Sequence, residues 1–422
     1  MRALIALGFL ICLTAGPAGA TARDVPADAD RPGALARAIA TAGAGDLLRL
    51  APGLHRGPIL ILAPLTLDGG GRARIEGDGT GSVITVNAPD VTVRGLEIAG
   101  SGSSNETLDA AVRLTKKATR ASVTDNSLFG NLVGVDVHGA RDAFVAGNRI
   151  EGRRDHRMND RGNGIYVWNA PGARIIGNDV RWGRDGIFVN TSSRNSFTGN
   201  RFRDLRFAIH YMYANDSEVS DNLSEGNHLG FALMFSKGLT IVGNQSIGDR
   251  DHGLLLNYAN DARIEGNLIR GGAEKCVFLY NAHRNSLSGN RFEGCAIGIH
   301  FTAGSERNTI SGNAFIGNRH QVKYVGSRRV DWSAAGRGNY WSDHAAYDLD
   351  GDGIADTAYR PNDLMDHILW SQPAAKLLLG APAVQLIRWS QAAFPALLPG
   401  GVTDSRPLMR PVTIPTRLWS RQ

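Results

Sequence analysis

The sequence predicts an all-β fold, a right-handed parallel β-helix, and three observations point to it. A Gly-Asn or Asp-Asn pair recurs with its asparagine at 126, 148, 178, 200, 222, 244, 267, 290 and 313, spacings of 22 or 23 residues apart from one of 30. Fourteen residues before most of these asparagines begins a short apolar strand, from Gly134-Val-Asp-Val to Cys276-Val-Phe-Leu. The 52 glycines follow this repeat instead of a collagen period, and apolar residues make up an ordinary 42% of the chain. Such a period is too long for heptads and lacks helical spacing, but it fits a coil of two or three short strands joined by tight turns. Asn and Gly accept the left-handed backbone that corners demand, and stacked asparagines form hydrogen-bonded ladders.

Taken in order, Arg2, an apolar run from Ala3 to Leu13 and Ala18-Gly19-Ala20 read as a secretory signal over residues 1–20. The mature chain is therefore expected outside the cytoplasm. Residues 21–82 are expected to hold an N-terminal cap and the first coils, with a short helix at Gly33 to Ala40. Residues 83–325 carry the repeats, 326–365 an acidic segment and 366–422 an apolar tail. No later stretch approaches the roughly 20 uninterrupted apolar residues of a membrane span. The net charge is +6, and Arg141, Arg149, Arg174, Arg201, Arg263 and Arg291 are scattered, which argues against a nucleic-acid partner.

Alternation with period two sorts the strand residues. Val135 and Val137, Ile165 and Val167, and their counterparts as far as Ile297 and Ile299 are expected to point inward. The alternate positions make an outer stripe that includes Asp136, His138, Tyr166, Trp168, Phe188, His210, Met212, Met234, Phe278, Gly298 and His300. It is too apolar for a purely solvated face, so Tyr166, Trp168 and Phe188 are expected to meet a partner. The one enlarged coil, between Asn148 and Asn178, carries about eight extra residues around Arg153 to Met158, either a binding loop or a tolerated insertion.

Cys12 falls within the signal, leaving Cys276 and Cys295 at nearly equivalent places in neighbouring coils, where an oxidising compartment favours a disulfide. Asp348, Asp350 and Asp352, with the Ile354 carbonyl and Asp356, match the ligand spacing of a calcium loop, although the twelfth position is Tyr359 and not Glu. Beyond it, Trp370, Leu377, Trp389 and Phe394 lie in a segment of roughly helical apolar spacing. That segment caps the open end, rests on a membrane surface or docks onto a membrane partner.

The Gly-Asn repeats followed by Gly338-Asn-Tyr-Trp-Ser-Asp and Tyr347-Asp-Leu-Asp-Gly-Asp-Gly-Ile-Ala-Asp, with the tail at Phe394-Pro-Ala-Leu-Leu-Pro-Gly-Gly, resemble the NosD family of nitrous oxide reductase maturation proteins. The likeness covers nearly the whole mature chain. It implies a non-enzymatic accessory protein of the periplasm, held at the inner membrane by an ABC-type permease and its ATPase. It further implies a role in assembling the copper-sulfide centre of nitrous oxide reductase, with copper arriving through a lipoprotein chaperone.

Reduced copper favours thioether and imidazole donors. Met212 and Met234 share an outer position on successive coils, His210 precedes Met212 by two, and His228 and His252 stand in the turns before neighbouring strands. These five are the candidate copper ligands. A stripe that merely packs against a partner is the plainer reading. The competing function is a polysaccharide lyase or uronate epimerase, which needs a base, an acid and a cation for the substrate carboxylate. The stripe offers Asp136, His138 and His210 but no evident carboxylate beside Lys or Arg. A surface adhesin is a third class.

Overall fold

The computed structural model describes residues 20–414, apart from 155, 156, 273, 303, 327, 363, 373, 375, 376, 378, 379 and 394–399. The expected signal segment up to residue 19, and Phe394, lie outside the described residues. What is described is a parallel β-helix. One wall is a 12-stranded parallel sheet running from Ile59–Ile61 to His320–Val325. Two further walls consist of short strands that pair only with the coils above and below them, as Phe144–Ala146 with Arg174–Ile176 and Arg149–Glu151 with Asp179–Arg181.

The marker dipeptide lies at the corner between these two walls, and its two residues do different work. The first takes the left-handed conformation, with φ of 64° at Gly147, 63° at Gly177 and 54° at Asp221, which suits Gly and, among L-residues, Asp or Asn. The second points inward. From Asn148 onward each Asn Oδ1 accepts the backbone N–H and the side-chain amide of the asparagine one coil earlier, as Asn200 gives 2.9 and 3.0 Å to Asn222 and Asn222 gives 3.1 and 2.9 Å to Asn244. Every Nδ2 also reaches a strand carbonyl, for Asn222 that of Phe197 at 2.8 Å. Buried amides therefore satisfy one another along the axis, and the apolar interior closes around them.

Inward positions follow the expected alternation through Leu279, with Ile165, Val167, Ile209, Tyr211 and Leu256 all fully buried. One strand corrects the reading. The pairing aligns Val277 with Ile299 and Leu279 with Phe301, so the inward pair is Ile299 and Phe301, while Ile297 is only half-buried. Gly298 then lies level with Cys276, and Cys295 sits three residues before that level. Even so, the two sulfurs stand at disulfide distance with Cα atoms 5.7 Å apart, because the turn folds Cys295 back toward the neighbouring coil.

The coils also continue past the point where the repeat fades. Tyr340–Trp341 pairs with Ala314–Phe315, and Asn339 adds a rung below Asn313 at 3.0 and 2.9 Å. The end of the ladder is closed by the tail. Asp404, fully buried, accepts Asn339 N–H at 2.6 Å and the Trp341 indole N–H at 2.8 Å. Rings of Phe292, Phe315, Trp341 and Tyr359 stack behind it at 5.2, 4.4 and 4.7 Å. At the other end helix α1 (Ala34–Ala40) buries Ala34 and Leu35 against the first coils. Helices α2 (Leu364–Ser371) and α3 (Pro382–Ala393) follow the last coil, α3 beginning at proline, which has no N–H to lose there.

Candidate functional site on the outer sheet face

The 12-stranded sheet presents its outward residues in two registered rows. One row passes from Asp136 through Tyr166 and Phe188 to His210, then through Ala232, Leu255 and Phe278 to His300. The other passes from His138 through Trp168, Asn190, Met212 and Met234 to Asn257. Met212 and Met234 are direct register partners and both half-buried, and His210 shares a strand with Met212.

His210 is held by groups that sequence reading passed over. Its Nδ1 lies 3.1 Å from Asp185, a fully buried carboxylate that also receives Arg206 Nε at 2.8 Å and Nη2 at 2.6 Å. Burial alone would raise the Asp185 pKa, but the His210 and Arg206 contacts outweigh it and hold the carboxyl below its ordinary value. A carboxylate on Nδ1 leaves Nε2 as the imidazole's free donor, the arrangement seen around metal-binding histidines. Phe188 at 4.8 Å and Phe207, edge-on at 4.9 Å, fix the ring plane.

The other two candidate histidines are not gathered with His210. His228 Nε2 and His252 Nδ1 face Asp251 at 3.9 and 3.2 Å and line a separate cleft of about 600 Å³. Among the described residues, a group of three His, Cys, Asp or Glu donors within 4.8 Å of one another occurs only at Asp348, Asp350 and Asp352. In that loop, Asp348 accepts the N–H of Gly351 at 2.7 Å and of Gly353 at 2.8 Å, and Asp356 accepts that of Leu349 at 2.8 Å. Ile354 is bridged to Leu408, and Tyr359 turns away to Asp343 at 2.8 Å.

Carboxylates beside arginine do exist on this face, contrary to the sequence reading. Besides Asp185 with Arg206, Asp136 stands 3.5 Å from Arg113 Nε and 3.7 Å from His138, whose ring stacks on Trp168 at 4.4 Å. Both carboxylates are fully buried, so neither reaches a polysaccharide as a general base. Near the far end His300 stacks on Phe278 at 4.7 Å, and burial together with Lys323 and Lys275 lowers its pKa to about 4.

Beside Met212 and Met234 runs an exposed column of rings. Tyr213, Phe235 and Tyr258 stack at 5.2 and 5.3 Å, and Tyr280 closes the column edge-on at 6.1 Å. The first three occupy left-handed corners, with φ of 55°, 49° and 51°. Bulky residues there cost about 1–2 kcal/mol each. Of the expected docking residues, Tyr166, Trp168 and Phe188 are half-buried on the face; Trp370 lies 6.0 Å from Lys323, and Leu377 and Trp389 are exposed.

Two curated relatives decide the family. A protein of Stutzerimonas stutzeri named "Probable ABC transporter binding protein NosD" is 43% identical over 86% of each chain. One of the same name from Pseudomonas aeruginosa is 45% identical over 86% of this chain and 87% of its own. The chain belongs to the NosD family. Residues 146–346 match that family, described as "Periplasmic copper-binding protein (NosD)", and the matched span contains the whole His210, Met212 and Met234 region. Members of the family are periplasmic, and no helix among the described residues of this one is long and apolar enough to cross a membrane.

Solved structures share the NosD chain's architecture at much lower identity. The Streptococcus pneumoniae surface protein and adhesin PfbA aligns over 71% of this chain and 96% of its own, with TM-score 0.53 and 11% identity. A Yersinia enterocolitica family 28 exopolygalacturonase aligns over 69% and 73%, with TM-score 0.54 and 10% identity. These likenesses concern the β-helix alone.

Proposed function

We propose that this NosD-family chain is a non-enzymatic periplasmic accessory protein of an ABC-type transporter, required for maturation of the copper-sulfide centre of nitrous oxide reductase. It hands on copper as cargo and serves as a docking scaffold. The observation that carries the reading is the row in which His210, oriented by Asp185, stands beside Met212 and Met234. An imidazole with one free nitrogen and two half-buried thioethers form a donor set suited to reduced copper, and the partly open face suits transfer more than storage. Tyr166, Trp168 and the Tyr213 column flank this row as contact surface for the copper chaperone or the reductase. The tail segment with exposed Leu377 and, on α3, Trp389 belongs to contact with the permease.

The test is the reductase itself. Cells lacking this chain should make nitrous oxide reductase without its copper-sulfide centre, and the wild-type chain should restore it while a His210, Met212 and Met234 triple alanine variant should not. Full restoration by the variant would refute the role of that row.

On the same reading, a structural calcium ion is held by Asp348, Asp350, Asp352 and Asp356 with the Ile354 carbonyl. The mutual closeness of the first three carboxylates supports it. Chelation should lower the unfolding temperature, and an unchanged temperature would leave the loop to its own hydrogen bonds.

A further inference from the structure

The insertion between Asn148 and Asn178 finds its use several coils away. Its short helical turn, Met158–Asp160, brings Met158 and Asn159 over the cleft formed by the starts of the strands Phe207–Asn215, Leu229–Met234 and His252–Asn257. Coils lie about 4.8 Å apart, so an ordinary turn would not reach so far, and the extra residues supply the span. The volume, about 600 Å³, falls in the range of ligand pockets.

The walls differ in chemistry. Phe207, Leu229 and Leu255 form an apolar floor, Leu229 and Leu255 being buried in one outer cluster. Arg250 lies exposed on the rim; it attracts the buried Asp249 through space but has no direct ion pair or side-chain hydrogen bond among the described residues. The neighbouring cation, Arg206, is already matched by Asp185 at 2.6 Å. Asp251 sits between His228 and His252, 3.9 Å from the first imidazole and 3.2 Å from the second.

One guanidinium without a direct contact beside an apolar floor, with a carboxylate already in the wall, suits a singly charged anion carried on an apolar body. A phosphate dianion would face Asp251. We infer that this cleft binds a carboxylate with an adjoining aliphatic group, the carboxylate on Arg250 and His228 and the aliphatic part on Leu229, Leu255 and Met158. The inference does not rest on the copper reading, since His210, Met212 and Met234 line none of the cleft.

Calorimetry on the full mature chain tests it with three probes: acetyl-Gly-Leu-Leu as free acid, the same peptide as its amide, and 4-methylpentanoate. The free acid should bind at least about tenfold more tightly than the amide, and Arg250→Gln should remove that preference. Arg250 is exposed, so the variant should keep its circular dichroism spectrum, and Leu255→Gln provides a second variant directed at the floor. A peptide acid that outbinds 4-methylpentanoate points to a polypeptide C-terminus as the natural ligand; equal binding points to a small free acid. Acid and amide binding equally, or neither binding at about 10 mM, would overturn the proposal.

Discussion

Asp185 shows what a single residue does here and why it escaped notice in the sequence. It stands immediately before Gly186, at the start of a strand motif, and its partner His210 is 25 residues further on. Only the stacking of coils brings carboxylate, imidazole and Arg206 together, so no local pattern announces them. Asp249 is a second such residue. It is fully buried among Ser224 at 2.7 Å, Ser246 at 2.6 Å and the Asn227 N–H at 2.8 Å, and burial pushes its pKa from 3.8 to about 6. A folded-state pKa above the unfolded one favours the protonated form, so the stabilisation is fully present below pH 3.8 and is lost as pH rises through about 6. The shift corresponds to about 3 kcal/mol. Asp249→Asn, which is neutral throughout, should abolish this part of the pH dependence and raise stability at pH 7.5. Denaturant melts from pH 4 to 8 would show it, and parallel curves for the two proteins would contradict the assignment.

At the scale of the element, the Asn ladder was legible because its period and its left-handed partner residue are both printed in the chain. Substituting Asn222 by Ala removes two acceptor contacts from Asn200 and two donations, to Asn244 and to the Phe197 carbonyl. With buried partners left unpaired, the cost should be about 2–4 kcal/mol, read from urea unfolding. A loss under about 0.5 kcal/mol would mean that water or neighbouring coils replace the rung. The strand at Ile297–Thr302 was misread because its Ala296-Ile-Gly-Ile segment imitates the motif two residues early, and alternation alone tolerates a slip of two. The column at Tyr213, Phe235 and Tyr258 was missed for a different reason: it lies at corners, where neither strand period nor Gly-Asn spacing applies.

For the whole molecule, the sequence suggested the solenoid, its sidedness and a tail that could cap it, but not the contacts that make the closure. Tail strand Gly401–Thr403 returns to pair with Arg329–Asp331, and Asp404 meets Asn339 across 65 residues of chain, a contact no spacing rule anticipates. A chain truncated before residue 400 would leave the last rung and the Trp341 indole without their acceptor. It should expose an unpaired solenoid end and self-associate, visible by size-exclusion chromatography; a stable monomer with an unchanged melt would deny the tail its capping role. Between the two closed ends, the outer face is what remains to be used, with the insertion over one stretch and a partly open His-Met row beside it.

The most direct measurement on that row is a titration of the purified protein with reduced copper against a competing chromophoric chelator. Wild type should withdraw copper from the chelator, and the His210, Met212 and Met234 triple alanine variant should lose at least about a hundredfold in affinity, as removal of three donors requires. Equal affinity in the two proteins would contradict the account.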